Sequence, residues 1–233
     1  MMPAVLDSGQ KIITSGLQLH FDAAQRRSYP GSGTTWTDVS ASAKTAAITG
    51  TFSFNSGNGG HFTGFANNSS RINVNSPNTS AIGSCTIQAF FAYEGNQATD
   101  INIFAYQGAS NGMYLTNGSF GGTQRRLIFY SDSGGRLATW PNELGNGAWT
   151  YVSAVRNTAN FSMSISVNGA ARVTNTYGSL PNFTPTDAWM LSRLPTSGNV
   201  FAGKYAILLY YNRALSTTEE AQNYNAIKSR FGL

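Results

Sequence analysis

The feature that most constrains this chain is a period-2 alternation of apolar and polar residues, interrupted by turn residues about every ten positions. Successive side chains of a strand point to opposite faces, so this period means strands with one face on a core. The regular punctuation means a sandwich or barrel. The clearest instance is 161–167, Phe-Ser-Met-Ser-Ile-Ser-Val, which puts Phe161, Met163, Ile165 and Val167 on one face and the serines on the other. Asn168-Gly169 follows, and a type I′ turn needs positive φ at both central residues, so a hairpin returning through 170–174 is predicted. Further strands are predicted at 17–22, 47–54, 71–74, 85–93, 101–106, 112–116, 126–131, 136–140, 149–156, 188–193 and 205–212. In the first, Leu17, Leu19 and Phe21 alternate with Gln18, His20 and Asp22, which leaves one face wet.

Only the end of the chain has helical signals. Ser216-Thr-Thr-Glu219 has capping-box spacing, a cap worth about 1 kcal/mol. Tyr224, Ile227 and Phe231 then recur at helical spacing and would bury one stripe on a sheet, and Gly232 is placed to end the helix. The fold class is therefore all-β, a two-sheet antiparallel sandwich with one short C-terminal helix. A chain of 233 residues removes about 70% of its unfolded surface from water, so no staples are required. No repeat or composition shift marks a second domain; residues 1–15 are expected to form an N-terminal arm and 16–233 a single domain.

Composition excludes several classes of function. Cys85 is the single cysteine, so neither an internal disulfide nor a cysteine zinc site can form. It alternates with Ile87, Ala89 and Phe91 and is expected as a buried small hydrophobe. No stretch approaches 18 consecutive apolar residues, so no membrane insertion is expected, and no secretion signal is read at the start. The net charge is +5, but the cations are scattered apart from Arg26-Arg27 and Arg125-Arg126. Phosphate backbones need clustered cations, so nucleic acid is not an expected partner.

Two stretches carry a resemblance. One is Ser15-Gly-Leu-Gln-Leu-His-Phe-Asp-Ala-Ala24, with Ser28-Tyr-Pro-Gly-Ser-Gly-Thr-Thr-Trp36-Thr-Asp38. The other is Tyr211-Asn-Arg-Ala-Leu-Ser216, then Glu219, Gln222-Asn-Tyr-Asn225 and Ser229-Arg-Phe-Gly-Leu233. Together with the Val167-Asn168-Gly169 turn they resemble concanavalin A-like, laminin G-like jelly-roll modules of the kind found in virion proteins of tailed bacteriophages. The resemblance implies a virion location, with capsid or other virion proteins as partners and a homo-oligomer compatible with a coat role. The function it implies is a non-enzymatic capsid decoration or other virion-surface protein, with a host-surface glycan adhesin as the alternative. The chain departs from the family at Ser40-Ala-Ser-Ala-Lys44, where a Gly- and Asn-rich stretch is usual, and at Glu220, where an aliphatic residue is usual. In some laminin G-like relatives such loops help to hold calcium; with the stretch replaced, no metal or other cofactor is expected.

The candidate sites follow from chemistry. Glucan-cleaving relatives place acids two apart on a strand, and retaining hydrolysis needs two carboxyls about 5 Å apart. No two of the ten acids lie at i, i+2, so no catalytic residue is assigned and a glycoside hydrolase is the least favoured alternative. His20 and Asp22 share a face and have base–orienter spacing, but the wet face of an edge strand explains them as well. Asp38 either joins Asp22 as an oxygen ligand or orients its own loop. Tyr29, Trp36 and Trp140 lie in loop or strand-end positions, where exposed rings would stack on a sugar or anchor a partner; these three are the expected ligand-binding residues. The competing reading is that they plug the core.

Overall fold

The computed structural model describes residues 10–63, 70–75, 80–94, 102–107, 112–118, 126–131, 136–182, 184–185, 187–190 and 201–233. In chain order the strands are β1 (Leu17–Asp22), β2 (Thr35–Thr37), β3 (Thr45–Thr49), β4 (Ser53–Asn55), β5 (His61–Thr63), β6 (Arg71–Val74), β7 (Cys85–Tyr93) and β8 (Asn102–Gln107). They continue with β9 (Gly112–Gly118), β10 (Arg126–Ser131), β11 (Arg136–Thr139), β12 (Trp149–Asn157), β13 (Ser162–Val167), β14 (Val173–Thr176), β15 (Asp187–Met190) and β16 (Gly203–Tyr211). Helix α1 (Thr217–Ile227) and a 3-10 turn (Lys228–Phe231) close the chain.

Every pairing among these strands is antiparallel. One sheet has the order β14-β13-β12-β7-β16-β5-β4 with β1 also on β16, and the second runs β11-β10-β9-β8-β15-β6-β3-β2. The two-sheet sandwich with a C-terminal helix is the architecture expected. The predicted strand 47–54 is instead two strands in opposite sheets. Gly50 breaks it, with φ at 87° and a Cβ position only 2.6 Å from the Ser70 backbone, so the chain turns where no other residue fits. The Asn168-Gly169 turn has the expected positive φ at both residues, 51° and 74°. Gly169 is needed twice, because a Cβ there would also meet the Tyr224 ring of α1 at 2.9 Å.

The main core lies between the sheets and includes Leu19, Phe21, Ile87, Phe91, Ile165, Leu208 and Tyr210. Cys85 is fully buried there, and burial pushes its thiol up to about 12. Two of the three expected binding aromatics belong to the same core, which corrects the expectation of exposed rings. Trp36 is fully buried and meets Phe21 at 5.2 Å and Phe62 at 4.9 Å, while Tyr29 packs edge-on to Phe62 at 4.7 Å and donates to the Gly33 carbonyl. The physical reason is that β2 joins the second sheet at Trp36, so the residue's loop-like Gly and Pro neighbours lead into a strand. Trp140 is half-buried and packs against this core from its edge.

A second apolar cluster lies on the opposite face of the first sheet, where Phe90, Tyr151, Ile207, Leu209 and Tyr211 meet Ile227 and Phe231. The expected stripe of α1 is present at Ile227 and Phe231, with Tyr224 half-covered and stacked on Tyr151 at 5.2 Å. Glu220 and Asn223 are buried on the helix as well. Asn223 donates to Gln88 Oε1 and to the Tyr211 hydroxyl, at 2.7 and 2.9 Å, and accepts the Ile13 N–H at 2.7 Å. Gln88 continues to Ser153, Ser153 donates to Glu220, and Arg172 closes the chain of contacts on the other Glu220 oxygen at 2.6 Å. Glu220 is thus held in its buried place by Arg172 and Ser153. Residues 10–15, expected as part of an arm, lie on the body: Ile12 and Ile13 join the second cluster, and the Tyr211 hydroxyl donates to the Ile13 carbonyl.

The capping box forms as expected, with the Glu219 N–H on Ser216 Oγ and the Ser216 N–H on Glu219 Oε2. Arg213 grips both Glu219 oxygens at 2.9 and 2.6 Å, and this holds the Glu219 carboxyl down to about 2 from an ordinary 4.5. The unfolded chain therefore takes up this proton first as pH falls. The stabilisation is full above about pH 4.5 and is lost between there and about 2. Arg213→Met is expected to flatten the acid limb of stability across that window in urea unfolding followed by circular dichroism. Trp36→Ala is expected to cost about 3–5 kcal/mol in the same measurement, the range for emptying a large aromatic site. Trp36→Phe should retain most of the stability, because the buried Trp36 Nε1 has no acceptor to lose among the described residues.

Candidate functional site

A concavity of about 610 Å³ lies where the two ends of the chain meet. Its walls are the 10–14 segment, β1, the loops at 25–27 and 39–41, and the last turn of α1 with the 3-10 turn. The two ends are joined by β1 pairing with β16, from Leu17 opposite Tyr211 to Asp22 opposite Ile207. Arg213 Nε on the Ser15 carbonyl and Asn212 N–H on the Gly16 carbonyl extend the join, each at 2.9 Å.

On β1 the alternation sends Leu19 and Phe21 to the core and His20 and Asp22 toward this cleft. Asp22 is nearly buried, not wet as expected, because Arg230 covers it with two hydrogen bonds at 2.7 and 2.9 Å. Arg230 also donates to the Gly59 carbonyl, so one guanidinium ties the C-terminal turn to β1 and to the turn before β5. Asp22 further accepts the Ala24 N–H. The carboxylate thus orients Arg230 and its own loop, and no hydrogen bond joins it to His20. Burial is the main influence on the His20 imidazole and holds it below its ordinary 6.5. Asp22 and Asp38 pull it back up and Arg230 adds to the depression, which leaves a neutral ring at pH 7.

Asp38 orients its loop, one of the two roles foreseen for it. One oxygen accepts the His20 and Ser40 N–H groups, both at 2.8 Å, and the other accepts Ser40 Oγ and the Lys44 N–H. Among the described residues no three His, Cys, Asp or Glu side chains gather as ligands for a metal ion. The remaining charges at the cleft are Lys11 and Arg27, and neither side chain meets a carboxylate of the described residues. With Arg230 balanced by Asp22, these two give the described lining of the cleft a positive excess, accompanied by Gln10, Gln25 and Ser40 as uncharged hydrogen-bonding groups. Sequence reasoning singled out His20, Asp22 and Asp38 as site candidates, noted Arg27 only as half of a cation pair, and gave Lys11 and Arg230 no part in a site. The spacing between the chain ends gives no sign that these cations converge.

Tyr29 and Trp36 contribute no ring to this cleft, nor does Trp140. Phe161 departs from its expected place in the opposite sense to Tyr29 and Trp36. It is the turn residue before β13, not the strand's first core residue, and it stands 43% exposed.

The concanavalin A-like lectin/glucanases superfamily matches residues 65–219, two thirds of the chain, and this protein belongs to it. No protein of curated function matches it in sequence. Among solved structures it is similar to domain 4 of AbnA, a GH43 extracellular arabinanase from Geobacillus stearothermophilus, in complex with arabinotriose. The TM-score is 0.66 at 17% identity, over 92% of this chain and 100% of that domain. The binding domain of botulinum neurotoxin serotype G superposes with a TM-score of 0.68 at 13% identity, over 89% of this chain and 50% of that one. Trypanosoma rangeli sialidase in complex with the inhibitor DANA matches at 0.66 and 11%, over 97% of this chain and 35% of the sialidase. The chain therefore spans about half of the toxin domain and about a third of the sialidase. At these identities the likeness is one of fold.

Because Asp22 and Arg230 act on the imidazole in opposite senses, Arg230→Met removes a depressing charge and unmasks the Asp22 carboxylate. The His20 titration is expected to move up in this variant in a pH series of imidazole nitrogen NMR spectra. An unmoved His20 resonance would show that the Asp22–Arg230 pair does not govern this site.

Proposed function

We propose that this chain is a non-enzymatic, lectin-like binding module whose β1 cleft holds an acidic, hydroxyl-rich ligand, an anionic glycan. The observation that carries this is the cleft itself. It is concave, has an excess of cations over acids, and offers amide and hydroxyl groups suited to sugar hydroxyls. Five of the described acids support the non-enzymatic part, because each is engaged within the fold. Asp22 is tied to Arg230, Glu94 to Lys204, Glu219 to Arg213 and Glu220 to Arg172, while Asp38 is used by its loop. A glycosidase needs two carboxyls facing one sugar, with one of them free to donate its proton. Domain 4 of AbnA, matched over its full length and solved with arabinotriose, lends support to a sugar-binding role for a domain of this size.

The end motifs support a virion setting, in which such a module serves as a host-surface adhesin or as capsid decoration with virion proteins as partners. Glycan recognition takes precedence here because a cleft suits a chain of sugars better than a flat lattice surface.

Biolayer interferometry against matched acidic and neutral polysaccharides tests the proposal. Preferential binding to the acidic set is expected, weakening as salt rises, with a loss of at least about tenfold in Lys11→Ala/Arg27→Ala. Equal binding of both sets by the wild-type and double-variant proteins would overturn it. Reducing ends released during incubation, and abolished by changing one carboxylate, would overturn its non-enzymatic part. Immunogold labelling of particles separates the settings: stoichiometric copies on capsid hexamers mean decoration, and a few copies at the tail tip mean adhesion.

A further inference from the structure

We propose that Phe161 is a second ligand contact, an aromatic platform on the β12–β13 turn that stacks on the apolar face of a neutral sugar ring. It takes the class of ligand from the glycan-binding reading, but rests on different residues from the cationic cleft.

Two observations single this residue out. Phe161 holds φ at 51°, a left-handed conformation that bulky side chains rarely adopt and that Gly or Asn fills at little cost. Its ring is also the one large hydrophobic side chain exposed among the described residues. A ring buried for stability would explain a strained backbone, and an unstrained turn would explain an exposed ring. Neither explains both together, and strain kept without burial is the pattern of a residue held for contact with something else.

The turn presents the ring on a firm support. The Phe161 carbonyl accepts the Tyr177 N–H at 2.9 Å, and the Thr158 N–H donates to Ser84 Oγ at 3.0 Å. Asn157 Oδ1 accepts the Ala159 N–H, and Asn160 Oδ1 accepts Ser162 Oγ at 2.7 Å. Binding would therefore require little ordering of the loop.

The surroundings decide the occupant. Residues 157–162 read Asn-Thr-Ala-Asn-Phe-Ser, with no charge, so the turn offers no cation to pair with an anion. With its oxygen engaged by Ser162, the exposed Asn160 has its amide N–H groups available to a ligand oxygen. One aromatic face beside an uncharged donor suits a sugar, which has an apolar ring face and a rim of hydroxyls. A protein partner would require a broader apolar patch than a single ring set among Asn, Thr and Ser.

The test is saturation-transfer NMR with cellotetraose, laminaritetraose and maltotetraose, alongside thermal unfolding. Wild-type protein is expected to transfer saturation to the ring protons of at least one of these sugars. Phe161→Gly should reduce the transfer at least fivefold with the melting temperature unchanged or raised, since glycine relieves the backbone. Phe161→Trp should restore it, and Lys11→Ala/Arg27→Ala should leave it intact. The proposal is overturned if the wild-type protein contacts none of the three sugars or if Phe161→Gly binds like wild type. A fall in melting temperature in Phe161→Gly, as from loss of a core ring, would also overturn it. Acidic-polysaccharide binding that survives Phe161→Gly would then leave the cleft reading standing. Acidic-polysaccharide binding that is lost in Phe161→Gly but kept in Lys11→Ala/Arg27→Ala would instead remove the cleft reading alone.

Discussion

The central strands of the first sheet, β7 and β16, are covered on both faces, and the rest of the molecule is arranged to make that cover possible. All nine residues of β7 are buried. Antiparallel sheets commonly leave one face to water, so a second layer must be provided for the face turned away from the sandwich. Helix α1 and the residues before β1 provide it. Because that face carries Gln88, Ser153 and Tyr211 among its apolar residues, the covering layer must also bring hydrogen-bond partners. Asn223, Glu220 and the Ile13 backbone meet this demand. A helix with a purely apolar stripe would leave those buried groups unpaired, which costs more than the missing contacts themselves.

The same cover creates the cleft. Bringing the C-terminal turn across β1 sets Arg230 over Asp22, and that pair neutralises the acid which would otherwise give the cleft a negative floor. Lys11 is held there by the 10–14 segment and Arg27 by the loop after β1, so the positive excess is a by-product of how the chain ends are clasped. Burial under this clasp also keeps His20 neutral near pH 7. Stability and the proposed recognition therefore draw on one arrangement, and the pairing of β1 with β16 brings together in space the two stretches that carry the family resemblance.

Several features were legible in the sequence because their causes are local. The alternation of Leu17–Asp22, Cys85–Tyr93 and Arg126–Ser131 was enough to bound those strands, and Asn168-Gly169 dictated its own turn. The capping box at Ser216 and Glu219 was equally local. The single cysteine, the mixed charge and the absence of paired acids along a strand were compositional facts that narrowed the chemistry before any contact was known.

Tertiary structure decided the rest, because burial depends on which surfaces come to face each other and period alone does not report that. Trp36 and Tyr29 had the neighbours of exposed loop residues, yet β2 joins the second sheet and turns both rings inward. Phe161 had the spacing of a core residue, yet the strand begins one residue later than the alternation implies, and its ring faces water. Glu220 was an anomaly in a helix stripe until Arg172, 48 residues away, closed on it. The cationic cleft is assembled from the two ends of the chain, so no local pattern could announce it. The sequence by itself settled a β-sandwich with a capped C-terminal helix, since local periodicity and turn chemistry are sufficient for that. Which side chains remain available to a ligand was settled only when the sheets, the helix and the chain ends came together.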